Sequence, residues 1–133
     1  MRKIVISSTI LIVLVLFFVY LFKTPKWEGT TKDGNIKAIL FETNEGSKKV
    51  YDGEIFWTEK NINEKEAAII QTEYYVNGKR EAFSYQKSPK IQGRTFVVAT
   101  KKPGINDKIE VLIRYTLKKK LYTERIDLHK KRI

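Results

Sequence analysis

Cysteine is absent from the 133 residues. Its absence excludes a disulfide scaffold, a thiolate metal site, a thiol nucleophile and an acylated lipoprotein cysteine. Histidine occurs once, as His129, which excludes a multi-histidine metal centre and leaves a histidine-based triad a single candidate. The chain also lacks a G-x-S-x-G elbow, a phosphate-binding glycine loop, a zinc signature and a dinucleotide fingerprint. On these grounds no catalytic residue, no metal and no cofactor is expected. The pair Asp52 and Glu54 lies two residues apart, hence on one strand face, a spacing that could serve glycoside hydrolysis. The same two carboxylates serve equally well as exposed charges facing Lys48 or Lys49 across a turn. Residues 63–66 (NEKE) offer too few oxygen ligands for a calcium loop.

At the start of the chain, charge is confined to the margins of a long apolar run. From Ile4 to Phe22 nineteen residues carry no charge, and fifteen of them are Ile, Leu, Val or Phe. A helix of that length spans roughly 28 Å, close to the hydrocarbon thickness of a bilayer. The segment is apolar all round, unlike an amphipathic core helix. Arg2 and Lys3 resemble the start of a secretory signal, but the run is longer than a cleavable one and no small-x-small site follows. An uncleaved transmembrane anchor over residues 1–22 is therefore expected, with a cytoplasmic N-terminus and the rest of the chain exported. Lys23, Lys26, Lys32 and Lys37 follow the run and oppose that orientation by a simple positive-inside count, although long domains translocate largely regardless of charge.

Residues 23–31 (KTPKWEGTT) read as an extended linker, because Pro25 and Gly29 break regular structure. Trp27 suits either the bilayer interface or the lower edge of the domain. Beyond it the pattern alternates with the period of half-buried strands. Ile36, Ala38 and Leu40 share one face, as do Tyr51, Ile55 and Trp57, with Gly46 as the left-handed residue of the turn between them. Asn77-Gly78 predicts a two-residue type I′ hairpin pairing Val76 with Lys79 and Tyr74 with Glu81. That register places Ile70, Thr72, Tyr74 and Val76 on the face of Phe83 and Tyr85. Further strands are expected over 95–100, over 108–117 with Ile109, Val111, Ile113, Tyr115 and Leu117 inward, and over 121–128 with Tyr122, Ile126 and Leu128 inward. A helix over 63–71 (NEKEAAIIQ) competes with one strand. The whole predicts an all-β, immunoglobulin-like antiparallel β-sandwich of about seven strands over residues 32–133, preceded by one N-terminal transmembrane helix.

Three pieces, Trp27-Glu28-Gly29, the run from Tyr51 to Trp57 (YDGEIFW) and the run from Glu124 to Leu128 (ERIDL), resemble small membrane-anchored or secreted β-sandwich proteins of Gram-positive, Bacillus-like bacteria. The resemblance implies a β-sandwich outside the cell membrane. Because the lipid-bearing cysteine of the lipoprotein members is missing, the helix itself would be the anchor. No functional residue is carried over.

Charge is unevenly spread. Residues 23–86 hold ten Lys+Arg and eleven Asp+Glu, whereas residues 87–133 hold fourteen and four. The excess gathers in Lys118, Lys119, Lys120, Arg125, Lys130, Lys131 and Arg132, a candidate surface for anionic lipid or an anionic wall polymer. Plain solubility and protection of strand edges would use the same lysines. With strands alternating from the membrane outward, Lys118–Lys120 would face the bilayer and His129–Arg132 the cell wall. Nucleic acid is not expected as a partner of an exported domain; Tyr74, Tyr75, Phe83 and Tyr85 are better read as cross-strand and core aromatics than as a stacking platform. The functional expectation is a non-catalytic, single-pass envelope protein that binds or supports a partner. The alternatives are an accessory subunit of a membrane complex and a polyanion binder.

Overall fold

The computed structural model describes residues 2–21, 25–58, 66–89 and 94–131. Helix α1 (Arg2–Leu21) precedes eight strands: β1 (Lys26–Thr30), β2 (Ile36–Glu45), β3 (Lys48–Trp57), β4 (Ala67–Val76), β5 (Lys79–Pro89), β6 (Arg94–Thr100), β7 (Ile109–Leu117) and β8 (Lys120–Lys131). In α1 the side chains from Ser8 to Phe18 are all exposed, including every residue of the run ILIVLVLFF. Those eleven positions make roughly 16 Å of helix, about half a hydrocarbon core. Among the described residues no helix is long and apolar enough to cross a membrane.

The strands form one antiparallel sheet in the order β5-β4-β7-β8-β1-β2-β3-β6. The all-β antiparallel expectation therefore holds, but its arrangement differs. Eight strands curl into a nearly closed, barrel-like sheet where about seven in two layers were expected. The difference arises in the expected linker. Lys26–Thr30 pairs with β2 on one side and with β8 on the other, Trp27 facing Leu40 and Lys130. This short strand joins what would otherwise be two sheets. Trp27 turns inward, edge-on to Tyr51 at 5.7 Å, and is a core residue. Gly29 also points inward, where a Cβ would lie 2.2 Å from the carbonyl oxygen of Asp127. Only glycine lets β1 and β8 approach so closely, so the residue that reads as a strand breaker is what the crossing requires.

The barrel interior is filled by the alternating positions. Ile36, Ala38, Leu40 and Ile55 are fully buried with Ile113, Val111 and Tyr115. Ala67–Gln71 is strand, not helix; residues 63–65 of the competing helix lie outside the described residues. The Asn77-Gly78 turn forms with φ of 51° and 80°, positive at both positions as a type I′ turn needs. Val76 meets Lys79 as expected, but Tyr74 pairs with Ala82 rather than Glu81, because a bulge shifts the register between Tyr74 and Tyr75. A one-residue slip exchanges faces. Ala82 packs against the core, while Phe83 and Tyr85 stand outside at 50% and 69% exposure. Tyr122, expected inside, stacks on Tyr115 at 5.2 Å and remains 36% exposed.

The seam of the barrel lies between β5 and β6, where among the described residues no strand pairing closes the ring. Arg94 spans it. Its Nη1 donates to the carbonyl of Ile69 at 2.9 Å and to that of Gln86, and its Nη2 to Ser84 Oγ at 3.1 Å. Burial pulls the guanidinium below its ordinary pKa, and the carbonyls it meets replace the lost water.

The β7–β8 turn is a second two-residue hairpin, but Lys118 and Lys119 occupy it with φ of 49° and 67°. A left-handed backbone costs an ordinary L-residue about 1–2 kcal/mol. Lys118→Asn with Lys119→Gly should therefore raise unfolding stability by about 1–2 kcal/mol, part of the gain being offset by the greater freedom of glycine when unfolded. A urea midpoint left unchanged or lowered would contradict that account of the turn.

Strand directions fix which loops share an end. The start of β1, the end of β8, and the β2–β3, β4–β5 and β6–β7 connections lie at one end, with the β7–β8 turn at the other. Because β1 adds one reversal to the expected path, the two ends of the barrel are exchanged relative to its first strand. Lys130 and Lys131 lie at the end to which α1 is attached, and Lys118–Lys120 lie at the far end, roughly 36 Å away along β8.

Candidate functional site

Along the outer wall, β1 presents Glu28 between the inward Trp27 and Gly29. Although it faces outward, Glu28 is only 7% exposed, because lysines from three strands fold over it. Lys131 of β8 reaches Oε1 at 2.9 Å, and Lys37 of β2 reaches Oε2 at 3.2 Å. Lys26 of β1 lies 3.6 Å from Oε2. The hydrogen bond from Lys131 outweighs burial and, with Lys37 and Lys26, lowers the carboxyl pKa to about 2. Glu28 is thus a fixed anion at neutral pH and no proton donor.

Around it opens a cleft of about 500 Å³ lined by Glu28, Gly29, Thr30, Lys32, Lys37, Arg125, Asp127, His129 and Lys131. Arg125 continues the pattern to β7, where it lies 3.3 Å from Glu110 and above the ring of Tyr75 at 5.7 Å. Glu110 is also buried on the outer wall, with Lys108 at 3.9 Å. Cations outnumber carboxylates in the cleft: Lys32, Lys37, Arg125 and Lys131 face Glu28 and Asp127. Three lysines sharing one carboxylate leave N–H donors over for an incoming anion. The arrangement suits anionic oxygens.

The structure divides the seven expected basic residues. Arg125 and Lys131 meet in the cleft, and His129 lines it too. Lys130 turns to the opposite face of β8, its Nζ 5.9 Å above the Trp27 ring. Lys118, Lys119 and Lys120 are at the far end of the barrel. Arg132 lies outside the described residues. Lys26, Lys32, Lys37 and Glu28 were missed, since a segment read as linker gives no reason to set Glu28 beside β8. The signal available was the alternation Trp27-Glu28-Gly29, which suits a strand with Trp27 inside.

The other candidates have structural partners. Asp52 accepts a hydrogen bond from the Ala99 amide at 2.8 Å, bracing a bulge in which Ala99 adopts a φ of 53°. Glu54, beside it on β3, is exposed. Of the four aromatics on β4 and β5, Tyr74 is buried against Phe96, Tyr75 hydrogen-bonds Glu73, and Phe83 lies under Arg80. They do not form one platform. Among the described residues no group of three or more His, Asp or Glu is placed to hold a metal ion.

The Glu28 cluster has a pH signature. Its carboxyl ionises in the unfolded chain near 4.5 and in the folded chain near 2, so its contribution is complete above pH 4.5 and is lost as pH falls toward 2. Because water reaches the lysines, the contribution is on the order of 1 kcal/mol. Glu28→Gln should remove that part of the acid dependence. An identical loss of stability between pH 4.5 and 2 in the variant would contradict the assignment.

Fold and wall together define an eight-stranded antiparallel, barrel-like β-domain behind an apolar helix, with cation-ringed carboxylates on its outside. The chain belongs to the family described as Domain of unknown function (DUF4944), whose model matches residues 22–89. That stretch runs from before β1 through β5 and holds Glu28, Lys32 and Lys37, whereas Arg125, Asp127, His129 and Lys131 lie beyond it. No curated protein and no solved structure matches the chain.

Proposed function

We propose that this is a non-catalytic, single-pass membrane protein whose barrel lies outside the cytoplasm and binds an anionic polymer of the cell envelope through the cleft around Glu28. The observation that carries the binding reading is the charge imbalance at that carboxylate, which is held by Lys26, Lys37 and Lys131 while Lys32 and Arg125 line the same opening. Membrane anchoring is supported by the apolar, exposed side chains of α1 and by the uncharged residues flanking them in sequence, Ile4 to Ile6 and Val19 to Phe22. The resemblance to membrane-anchored proteins of Gram-positive bacteria points the same way.

The test is binding of a soluble poly(glycerol phosphate) to the full chain in detergent micelles. Lys32→Gln with Lys37→Gln should weaken binding by about five-fold per lysine at low salt and flatten its salt dependence. Replacing Lys118, Lys119 and Lys120 by Gln should weaken it less, since they lie outside the cleft. Equal losses from the two sets, or none from the first, would reject the cleft as the binding surface.

A further inference from the structure

The β6–β7 connection, residues 101–108 (KKPGINDK), is a built loop with an isoleucine at its tip. Asp107 organises it: Oδ2 accepts from the Gly104 amide at 2.7 Å, and Oδ1 accepts from Asn77 Nδ2 at 2.8 Å. Asn77 belongs to the β4–β5 turn, and its Oδ1 accepts in return from the Lys108 amide at 2.9 Å. Hydrogen bonding to Gly104 and Asn77 holds the Asp107 carboxyl below its ordinary pKa, so this brace persists at neutral pH. Pro103 is buried beneath. The brace leaves Ile105 95% exposed, the most exposed of the large apolar side chains described.

A lone exposed isoleucine requires no explanation; its position here supplies one. Lys101, Lys102 and Lys108 flank it, and Lys48 and Lys79 lie in the adjacent turns of the same end. This is also the end at which β1 begins. Only residues 22–25 separate α1 from β1, a reach of about 17 Å at full extension. An anchored helix would therefore hold this end, and not the β7–β8 turn, next to the bilayer.

We propose that the β6–β7 loop docks the barrel onto the anionic leaflet beside its own anchor. Ile105 enters the interface between headgroups and acyl chains, and Lys101, Lys102 and Lys108 contact lipid phosphates. The inference rests on the membrane anchoring of α1 and deepens it by naming the face of the barrel that meets lipid. A bilayer, rather than a protein, is favoured because an apolar tip ringed by lysines on a short tether complements an anionic interface.

The full chain contains no native cysteine, so Asn106→Cys provides a single attachment site for an environment-sensitive fluorophore beside an intact Ile105. The labelled chain is reconstituted into vesicles of phosphatidylcholine with phosphatidylglycerol and exposed to iodide. Shielding of the dye is expected, with a probe at Lys119→Cys remaining fully quenched. Ile105→Ser should restore quenching, and Lys101→Gln with Lys102→Gln should weaken docking by about five-fold per lysine. Equal quenching at 106 and 119 overturns the inference, as does equal shielding in phosphatidylcholine alone. Flotation of the same sample separates the two levels: a chain that floats with its probe exposed refutes the loop alone, whereas one that does not float refutes the anchor and the loop with it.

Discussion

Arg94→Met should be among the more destabilising single changes in the barrel, lowering unfolding stability by about 2–4 kcal/mol. The aliphatic part of the new side chain fills much the same volume, so the loss tests hydrogen bonding more than packing. Removing the guanidinium leaves the carbonyls of Ile69 and Gln86 and the hydroxyl of Ser84 without their donor at the seam. A buried acceptor left unpaired costs about 1–3 kcal/mol, and here several are orphaned together. Among the described residues β5 and β6 are not paired as strands, so the Arg94 hydrogen bonds are what links the two at the seam. The measurement is urea unfolding in detergent. A loss below about 1 kcal/mol would mean that Arg94 decorates the seam and does not close it.

Gly29→Ala should be comparably severe for a different reason, costing about 3 kcal/mol or more. The added methyl would meet backbone, Asp127 O at 2.2 Å, as well as Ile126 Cγ2 at 2.8 Å. A flexible side chain could move aside, but here β1 and β8 must separate. Since that pairing also sets Lys131 on Glu28, the cleft should loosen together with the fold. Gly34→Ala is the control: its φ of 77° is unfavourable, but nothing lies within 4 Å of the new carbon, so a cost of about 1 kcal/mol is expected. Equal effects of the two substitutions would show that backbone conformation, not the β1–β8 approach, explains Gly29.

Gly29 marks where sequence reasoning stopped short. Alternation alone grouped the core residues of β2, β3 and β7, because Ile36/Ala38/Leu40 and Ile109/Val111/Ile113 follow period two, with Leu112 the one apolar misfit on the outer set of β7. It could not reveal that β1 is a strand. Five residues between a proline and a short turn, with glycine in fourth place, lack the length and β-branched content that a strand pattern needs. With β1 treated as linker, the sheets had no bridge, and a sandwich was the natural arrangement. The Asn77-Gly78 turn was legible down to its φ angles, whereas the bulge two residues away was not. Bulges depend on how neighbouring strands coil, which a local pattern does not encode.

The candidate site was half legible. Net charge pointed to β8 and found Arg125 and Lys131, but a charge tally treats a strand as a list. It does not say that Lys130 and Lys131 face opposite sides, nor that Lys118–Lys120 end up far from both. Glu28, Lys37 and Lys131 meet only because β1 lies between β2 and β8. The cluster is a product of topology, and it became visible once strand order was known.

Every functional statement depends on the apolar beginning of the chain holding the barrel at a membrane. The most direct measurement is alkaline carbonate extraction of membranes from cells making the full chain, followed by flotation of the pellet with lipid. The account expects the intact chain to stay with the lipid through both steps, released by detergent and not by carbonate or high salt. Recovery of the intact chain in the carbonate supernatant would contradict it.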